Sequence, residues 1–164
     1  MGRWRPPPER STPYITAEGY AALEAESAAL WARRRDTVTA LSAAAAEGDR
    51  SENAEYIYRK KELREIDRRI RYLQKRMPSL TVVSEVGDRS KVFFGAYVTL
   101  VREDDSEVTY RIVGADELDP SKGYISLDSP LAKRLLKAEE GDEITHEVAG
   151  ETTVFEVLAI RYAD

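Results

Sequence analysis

Two regimes meet near Pro78-Ser79 in this chain, and together they predict an α+β protein of two domains. Before that point apolar residues recur at alternating steps of three and four, the spacing of helices; past it the period falls to two, the spacing of strands. Charge divides at the same place. Residues 1–78 carry 16 Lys and Arg against 12 Asp and Glu, a balance of +4, while residues 79–164 carry 9 against 18, a balance of −9. The expected organisation is a disordered Arg/Pro-rich arm over 1–13, an antiparallel coiled-coil hairpin over 14–78, and a small antiparallel sheet with one helix over 79–164.

The elements follow in order. Met1-Gly2-Arg3-Trp4-Arg5-Pro6-Pro7-Pro8 lacks the apolar core of a signal peptide and reads as a polyproline arm. Thr16 suits an N-cap, with Glu18 favourably placed in the first turn of a helix running to about Ala46. Its seam is read as Tyr20, Leu23, Leu30, Val38, Leu41 and Ala45, interrupted by Ser27 and Arg34. Gly48 suits the left-handed position that ends a helix. A second helix, from about Asn53 to Met77, shows Tyr56, Arg59, Leu63, Ile66, Ile70, Leu73 and Met77 at steps of three and four, a coiled-coil stripe. Two helices joined by so short a turn fold back antiparallel. Roughly thirty residues at about 1.5 Å each make a rod on the order of 45 Å long, and the small residues Ala43 to Ala46 keep its far end thin.

Beyond Pro78 the candidate strands are 80–83, 91–94, 97–102, 107–113, 124–127, 143–148 and 153–161. Glu103-Asp104-Asp105-Ser106 and Ala149-Gly150-Glu151 are hairpin turns, and Ser129-Pro130 is a capped helix start leading through Leu131, Leu135 and Leu136.

Composition removes several function classes. With no cysteine there is neither a disulfide framework nor a thiolate metal site. The single histidine, His146, alternates with Ile144 and Val148 on one strand and reads as structural. No apolar run approaches the roughly 18 residues that span a bilayer, and a cytoplasmic protein is expected. No phosphate-cradling glycine-rich loop appears.

Chemistry concentrates at the turn of the hairpin, Gly48-Asp49-Arg50-Ser51-Glu52-Asn53-Ala54-Glu55-Tyr56. Asp49 and Glu52 fit a capping box, with Asp49 as N-cap and Glu52 three residues on. Ser51 is a rival cap, which would free both carboxylates. Two exposed acids at that spacing offer part of a Mg2+ site, since that ion takes one or two carboxylates and keeps several waters. Nothing in the chain adds a nucleophile or a closed pocket, so autonomous catalysis is not expected. On the second helix Arg59, Lys60, Lys61, Arg64, Arg68, Arg69, Arg71, Lys75 and Arg76 face only Glu62, Glu65 and Asp67. Part of that charge fits helix ion pairs such as Glu65 with Arg68 or Arg69; the surplus fits a nucleic-acid backbone. Tyr56 and Tyr58 suit base stacking or, for Tyr56, seam packing.

The turn, together with Lys60-Lys61-Glu62-Leu63-Arg64-Glu65-Ile66-Asp67-Arg68-Arg69-Ile70-Arg71-Tyr72-Leu73, resembles the bacterial Gre transcript-cleavage factors. Within that family Arg50, Tyr56, Tyr58 and the Arg-rich helix are similar to the GreB type rather than the GreA type. The likeness runs on through Lys91-Val92-Phe93-Phe94-Gly95-Ala96, Arg111-Ile112-Val113-Gly114, Tyr124 to Ala132 and Gly141-Asp142, covering about 14–162. The Arg/Pro-rich arm and the loop around Leu118-Asp119-Pro120-Ser121 depart from it.

The resemblance implies an FKBP-like shape for the second domain, without prolyl-isomerase activity. It also implies that this domain docks on the rim of the secondary channel of bacterial RNA polymerase through Asp128, Ser129 and Pro130, binding as a monomer. The hairpin would enter the channel. Asp49 and Glu52 would help hold a second, loosely bound Mg2+ of the polymerase, Ser51 would assist in positioning, and water would hydrolyse backtracked RNA. Arg59, Lys60, Lys61, Arg64 and Arg68 would hold the extruded RNA 3′ segment. The rival reading on the same scaffold is a channel-binding inhibitor that does not stimulate cleavage; another is a general RNA-binding coiled coil.

Overall fold

Thr16 caps the first helix as its sequence predicts: Gly19 N donates to Thr16 Oγ1 at 3.0 Å, and α1 runs Ala17–Ala45. The computed structural model describes residues 4–5, 11–47 and 53–163. These fall into two compact units, residues 20–79 and the chain up to Gly19 joined to the chain from Leu80 onward.

In the first unit, α1 is followed by α2 (Ala54–Arg76) and a 3-10 turn, Met77–Ser79. Cross-links fix the direction. Glu26 meets Arg69, Arg34 meets Asp67, Thr37 meets Glu62, and the Ala44 carbonyl meets Asn53. Each step up α1 is a step down α2, so the pair is antiparallel. Ile66, Ile70 and Leu73 are buried on α2, as the stripe predicts.

On α1 the buried positions are Leu23, Leu30, Thr37 and Ala44, each one heptad apart. The sequence reading placed Val38 and Ala45 there instead, and this is corrected. Val38 is 37% exposed, whereas Thr37 is 2% exposed. A seam of period seven continues from Leu23 and Leu30 onto position 37 whatever side chain stands there. Thr37 is tolerated because its hydroxyl donates to Glu62 Oε1 at 3.0 Å.

The segment before α1 belongs to the second unit. There β1 (Tyr14–Ile15) pairs in parallel with β2 (Thr81–Val82), Thr81 N donates to the Pro13 carbonyl at 2.8 Å, and Ile15 is fully buried. The sequence put residues 14–19 with the hairpin and residues 12–13 in a loose arm. Both are displaced, because strand pairing across more than sixty residues leaves no local signal. Gly114 is required here, since a Cβ on it would lie 1.9 Å from the Tyr14 carbonyl oxygen.

Five further strands follow in this unit: β3 (Tyr97–Arg102), β4 (Glu107–Val113), β5 (Tyr124–Ser126), β6 (Glu143–Val148) and β7 (Glu151–Arg161). They form one sheet in the order β5-β4-β3-β7-β6. All its pairings are antiparallel except β4 with β5, which is parallel, so the sheet is mixed rather than wholly antiparallel. The connection over 114–123 carries two 3-10 turns, Ala115–Glu117 and Pro120–Lys122, and is long enough to return the chain in the same direction. The strand expected at 91–94 is reduced to an isolated bridge, Lys91 to Glu139. One helix, α3 (Pro130–Leu135), places Ala132 and Leu135 in the same core as Val98, Leu100, Ile112, Ile144, Phe155 and Val157.

A bulge in β7 sets which side chains share a face. Thr99 pairs with Ala159 but Leu100 with Val157, leaving Leu158 as the extra residue. Inward alternation therefore runs 155, 157, then 160 and 162, and Tyr162 enters the core, accepting from Phe93 N at 2.9 Å and donating to the Lys91 carbonyl. The same shift turns Arg161 to the opposite face, where Arg161, Tyr97, Arg111 and Tyr124 form one row across four strands. Tyr97 is sandwiched there, with the Arg161 guanidinium 3.9 Å and the Arg111 guanidinium 4.6 Å from its ring centre.

Replacing Ile70 with Asp should unfold the helical hairpin by more than about 3 kcal/mol, because an unpaired carboxylate replaces a buried side chain in the seam. A thermal melt followed by helical circular dichroism checks this; an unchanged midpoint would show that the seam is wrong.

Candidate functional site

The two ends of the hairpin turn are held by one side chain. Asn53 is the N-cap of α2: its Oδ1 accepts from Tyr56 N at 3.0 Å. Its Nδ2 donates across the hairpin to the Ala44 carbonyl at 2.7 Å. That carbonyl also accepts from Glu47 N at 3.2 Å, so the last turn of α1 and the first of α2 share a polar junction.

Asp49, Ser51 and Glu52, with Gly48 and Arg50, lie outside the described residues. Among the described residues Asn53 holds the N-cap position of α2. The sequence reading missed Asn53, though the signal was there: asparagine ranks among the best N-cap residues and stands directly before the helical stripe.

The basic surface of α2 separates into two sets. Arg59 is engaged by Glu55 at 2.8 Å and Glu62 at 3.1 Å, and Arg69 grips Glu26 with two hydrogen bonds of 2.8 and 2.9 Å. Lys60 lies 5.8 Å from the Tyr56 ring centre. Lys61, Arg64, Arg68, Arg71 and Lys75 are exposed and carry no ion pair among the described residues. Their spacing of three and four places them in one stripe on the face away from the seam. Of the five residues read as RNA-binding, Lys61, Arg64 and Arg68 stand on this stripe, while Arg59 is held within the hairpin. Beside the stripe Ile57 and Tyr58 are 54% and 60% exposed.

Glu62 is the hub on the seam side. Partial burial works against its charge, but the Thr37 hydroxyl and the Arg59 and Arg33 guanidiniums outweigh it, and its carboxyl is held below the ordinary glutamate range. A depressed carboxylate stabilises the fold above that range and loses its contribution as pH falls through it.

In the sheet unit, Ser129 caps α3, its Oγ accepting from Ala132 N at 3.2 Å, and Pro130 fills the first helical position. Asp128 is turned inward on the chain itself: its carboxylate accepts from Thr12 N at 2.9 Å and from the Thr12 hydroxyl. A second carboxylate, Glu117, takes Thr16 N at 3.0 Å, Gly114 N at 2.8 Å and the Thr16 hydroxyl. Pro130 is left exposed, while Asp128 already has partners. Neither clip has a local sequence signal, because Thr12 and Asp128 lie 116 residues apart and Thr16 and Glu117 lie 101 apart.

Family models match both parts of the chain: the N-terminal domain of transcription elongation factors over residues 13–82, and the GreA/GreB C-terminal domain over residues 87–162. The chain is 56% identical over 167 residues to transcription elongation factor GreB of Xanthomonas axonopodis pv. citri, covering 99% of each. It is 53% identical over 165 residues to GreB of Pseudomonas aeruginosa, covering 99% of this chain and 98% of that one. Among solved structures, the GreA factor homologue Gfh1 of Thermus thermophilus aligns over 90% of this chain and 97% of its own, at 22% identity and a TM-score of 0.42, a distant likeness.

Glu62→Gln should remove part of the acid sensitivity of the hairpin. The wild type should lose helical stability as pH drops below the ordinary glutamate range, and the variant should lose less over the same interval. Melting temperatures from about pH 7 down to about pH 3 give the comparison, and parallel curves would remove Glu62 from the account.

Proposed function

This chain belongs to the GreA/GreB family of transcription elongation factors, and we propose that it is a GreB-type factor that stimulates hydrolytic cleavage of backtracked RNA by bacterial RNA polymerase. The observation that supports this reading is the exposed basic stripe of α2, which follows a turn whose sequence carries Asp49 and Glu52. Two carboxylates supply hard oxygen donors of the kind Mg2+ prefers, and too few to hold it without ligands from elsewhere. Among the described residues no group of three or more His, Asp or Glu side chains could hold a metal.

The roles follow from charge and reach. Asp49 and Glu52 contribute negative oxygens to a Mg2+ shared with the polymerase, and Ser51 helps position them. Mg2+, when bound, lowers the pKa of water and so supplies a nucleophile at neutral pH. Lys61, Arg64 and Arg68 lie on the exposed stripe and neutralise phosphates of the extruded RNA 3′ segment. Arg59 is engaged within α2 by Glu55 and Glu62, and Lys60 sits beside Tyr56. Asp128 organises the loop that presents Ser129 and Pro130 to the channel rim, rather than meeting the partner with a free carboxylate. The chemistry belongs to the polymerase, the setting is the cytoplasm, and this chain delivers side chains to it. No helix among the described residues is long and apolar enough to cross a membrane.

Stalled, backtracked elongation complexes give the test. Wild type should accelerate RNA cleavage. Asp49→Ala and Glu52→Ala should each lower that acceleration by on the order of 10²-fold or more, with polymerase binding retained. Full cleavage by both variants would end the reading, and slowed elongation with no cleavage by the wild type would point to a channel-blocking inhibitor. Joint replacement of Lys61, Arg64 and Arg68 by Gln should weaken the RNA-dependent part of binding and flatten its salt dependence by about 0.7 for each phosphate no longer neutralised. An unchanged slope would remove the stripe from the RNA site.

A further inference from the structure

The basic stripe of α2 does not begin with a cation. Read from the start of the helix, Ile57, Lys61, Arg64, Arg68, Arg71 and Lys75 follow one another at steps of four and three, so one outward line carries them all. Its first member is apolar, and the next residue is Tyr58; both side chains stand more than half exposed. Neither belongs to the seam. Tyr56 lies two heptads before the buried Ile70 and so faces the seam side, and two further residues turn the helix by about 200°. Isolated exposed apolar residues are ordinary on a protein surface, but here two neighbours share the end of a line of cations. The Tyr58 ring is also supported. The Arg59 guanidinium lies 5.4 Å from its centre, and that guanidinium is itself held by Glu55 at 2.8 Å and Glu62 at 3.1 Å. A ring steadied in this way and open to solvent is a surface on which another flat group can stack.

We propose that Tyr58, flanked by Ile57, stacks on one unpaired base of the extruded RNA, while Lys61, Arg64 and Arg68 neutralise the phosphates beyond it. The inference rests on the reading above for its ligand. Cations hold a phosphate backbone in any register, since every nucleotide carries the same charge. A ring takes a single base, of any identity because every base has a π-face, and so adds one fixed point to an otherwise sliding contact. From Tyr58 to Arg68 the helix rises about 15 Å at about 1.5 Å per residue, room for a few nucleotides of single strand.

Binding of the full-length chain to reconstituted elongation complexes tests this, with backtracked complexes compared against complexes whose RNA 3′ end is paired. Tyr58→Ala should weaken binding to backtracked complexes about tenfold and leave binding to paired complexes within about twofold. Tyr58→Phe should bind like the wild type, since stacking does not use the hydroxyl. Both are surface changes and should leave the helical melting temperature in place. Tyr58→Ala should also keep the wild-type salt slope, because no phosphate contact is lost. The RNA itself identifies the contact. When a single abasic nucleotide is moved along the extruded segment, one position should cost the wild type about tenfold and cost Tyr58→Ala nothing further. Equal losses on both kinds of complex would assign Tyr58 to a protein surface of the polymerase and overturn the proposal. Wild-type binding by Tyr58→Ala, or additive losses at every abasic position, would overturn it as well. Cleavage is scored separately. A wild type that shows the abasic coupling without stimulating cleavage would end the transcript-cleavage reading and leave the base contact standing; cleavage without the coupling would do the reverse.

Discussion

Register between the two helices is the constraint on which the hairpin depends. An apolar seam repeats every heptad, so Leu and Ile packing alone would also accept a slip of seven residues, about 10.5 Å along the axis at 1.5 Å per residue. The polar cross-links do not repeat that way. Glu26 with Arg69, Arg34 with Asp67, Thr37 with Glu62 and Ala44 with Asn53 occur at four heights and differ in chemistry. A slip would leave Thr37 buried without its acceptor and the carboxylates opposite the wrong partners. Buried polar groups are costly when unpaired, which makes them good markers of one register over another. Among the described residues every buried side-chain nitrogen and oxygen has a hydrogen-bond partner.

The basic residues of α2 show how one composition serves two ends. Arg69 is taken up across the seam by Glu26 and helps hold the helices in register, while Arg59 is taken up within α2 by Glu55 and Glu62. Cations at the remaining steps of three and four stay solvated. The resulting stripe gives α2 a positive outer face, although the chain as a whole carries a net charge of −5. For a polyanionic ligand the local arrangement decides, since screening limits the reach of more distant acids to about 10 Å at ordinary ionic strength.

In the sheet unit, a single inserted residue has a similar reach. Leu158 shifts the phase of β7, which lets Tyr162 seal one end of the core and puts Arg161 in the row with Tyr97, Arg111 and Tyr124. Arg111 is 5% exposed, donates to the Gly95 carbonyl and lies 3.5 Å from Glu18, so its buried charge has both a hydrogen bond and a counter-ion. Glu18 in turn is held below the ordinary carboxylate range, chiefly by a backbone hydrogen bond, with Arg111 adding to the effect against the cost of burial.

Local periodicity determined most of the architecture. The limits of both helices fell within a residue or two, strands 97–102, 107–113 and 143–148 were placed to the residue, and Ser129 was identified as a cap, because each depends on neighbours a few positions away. Composition likewise marked the second helix as rich in Lys and Arg. Tertiary structure alone decided which cations are spent on the seam, that Thr37 rather than Val38 is buried, and that Thr12 and Thr16 are clipped by Asp128 and Glu117. It also gave β5 its parallel partner and Asn53 its second bond. These features join residues from nine to more than a hundred positions apart. No repeat in the sequence encodes such a meeting; it exists only once the helices and strands have packed and their leftover donors and acceptors have found each other.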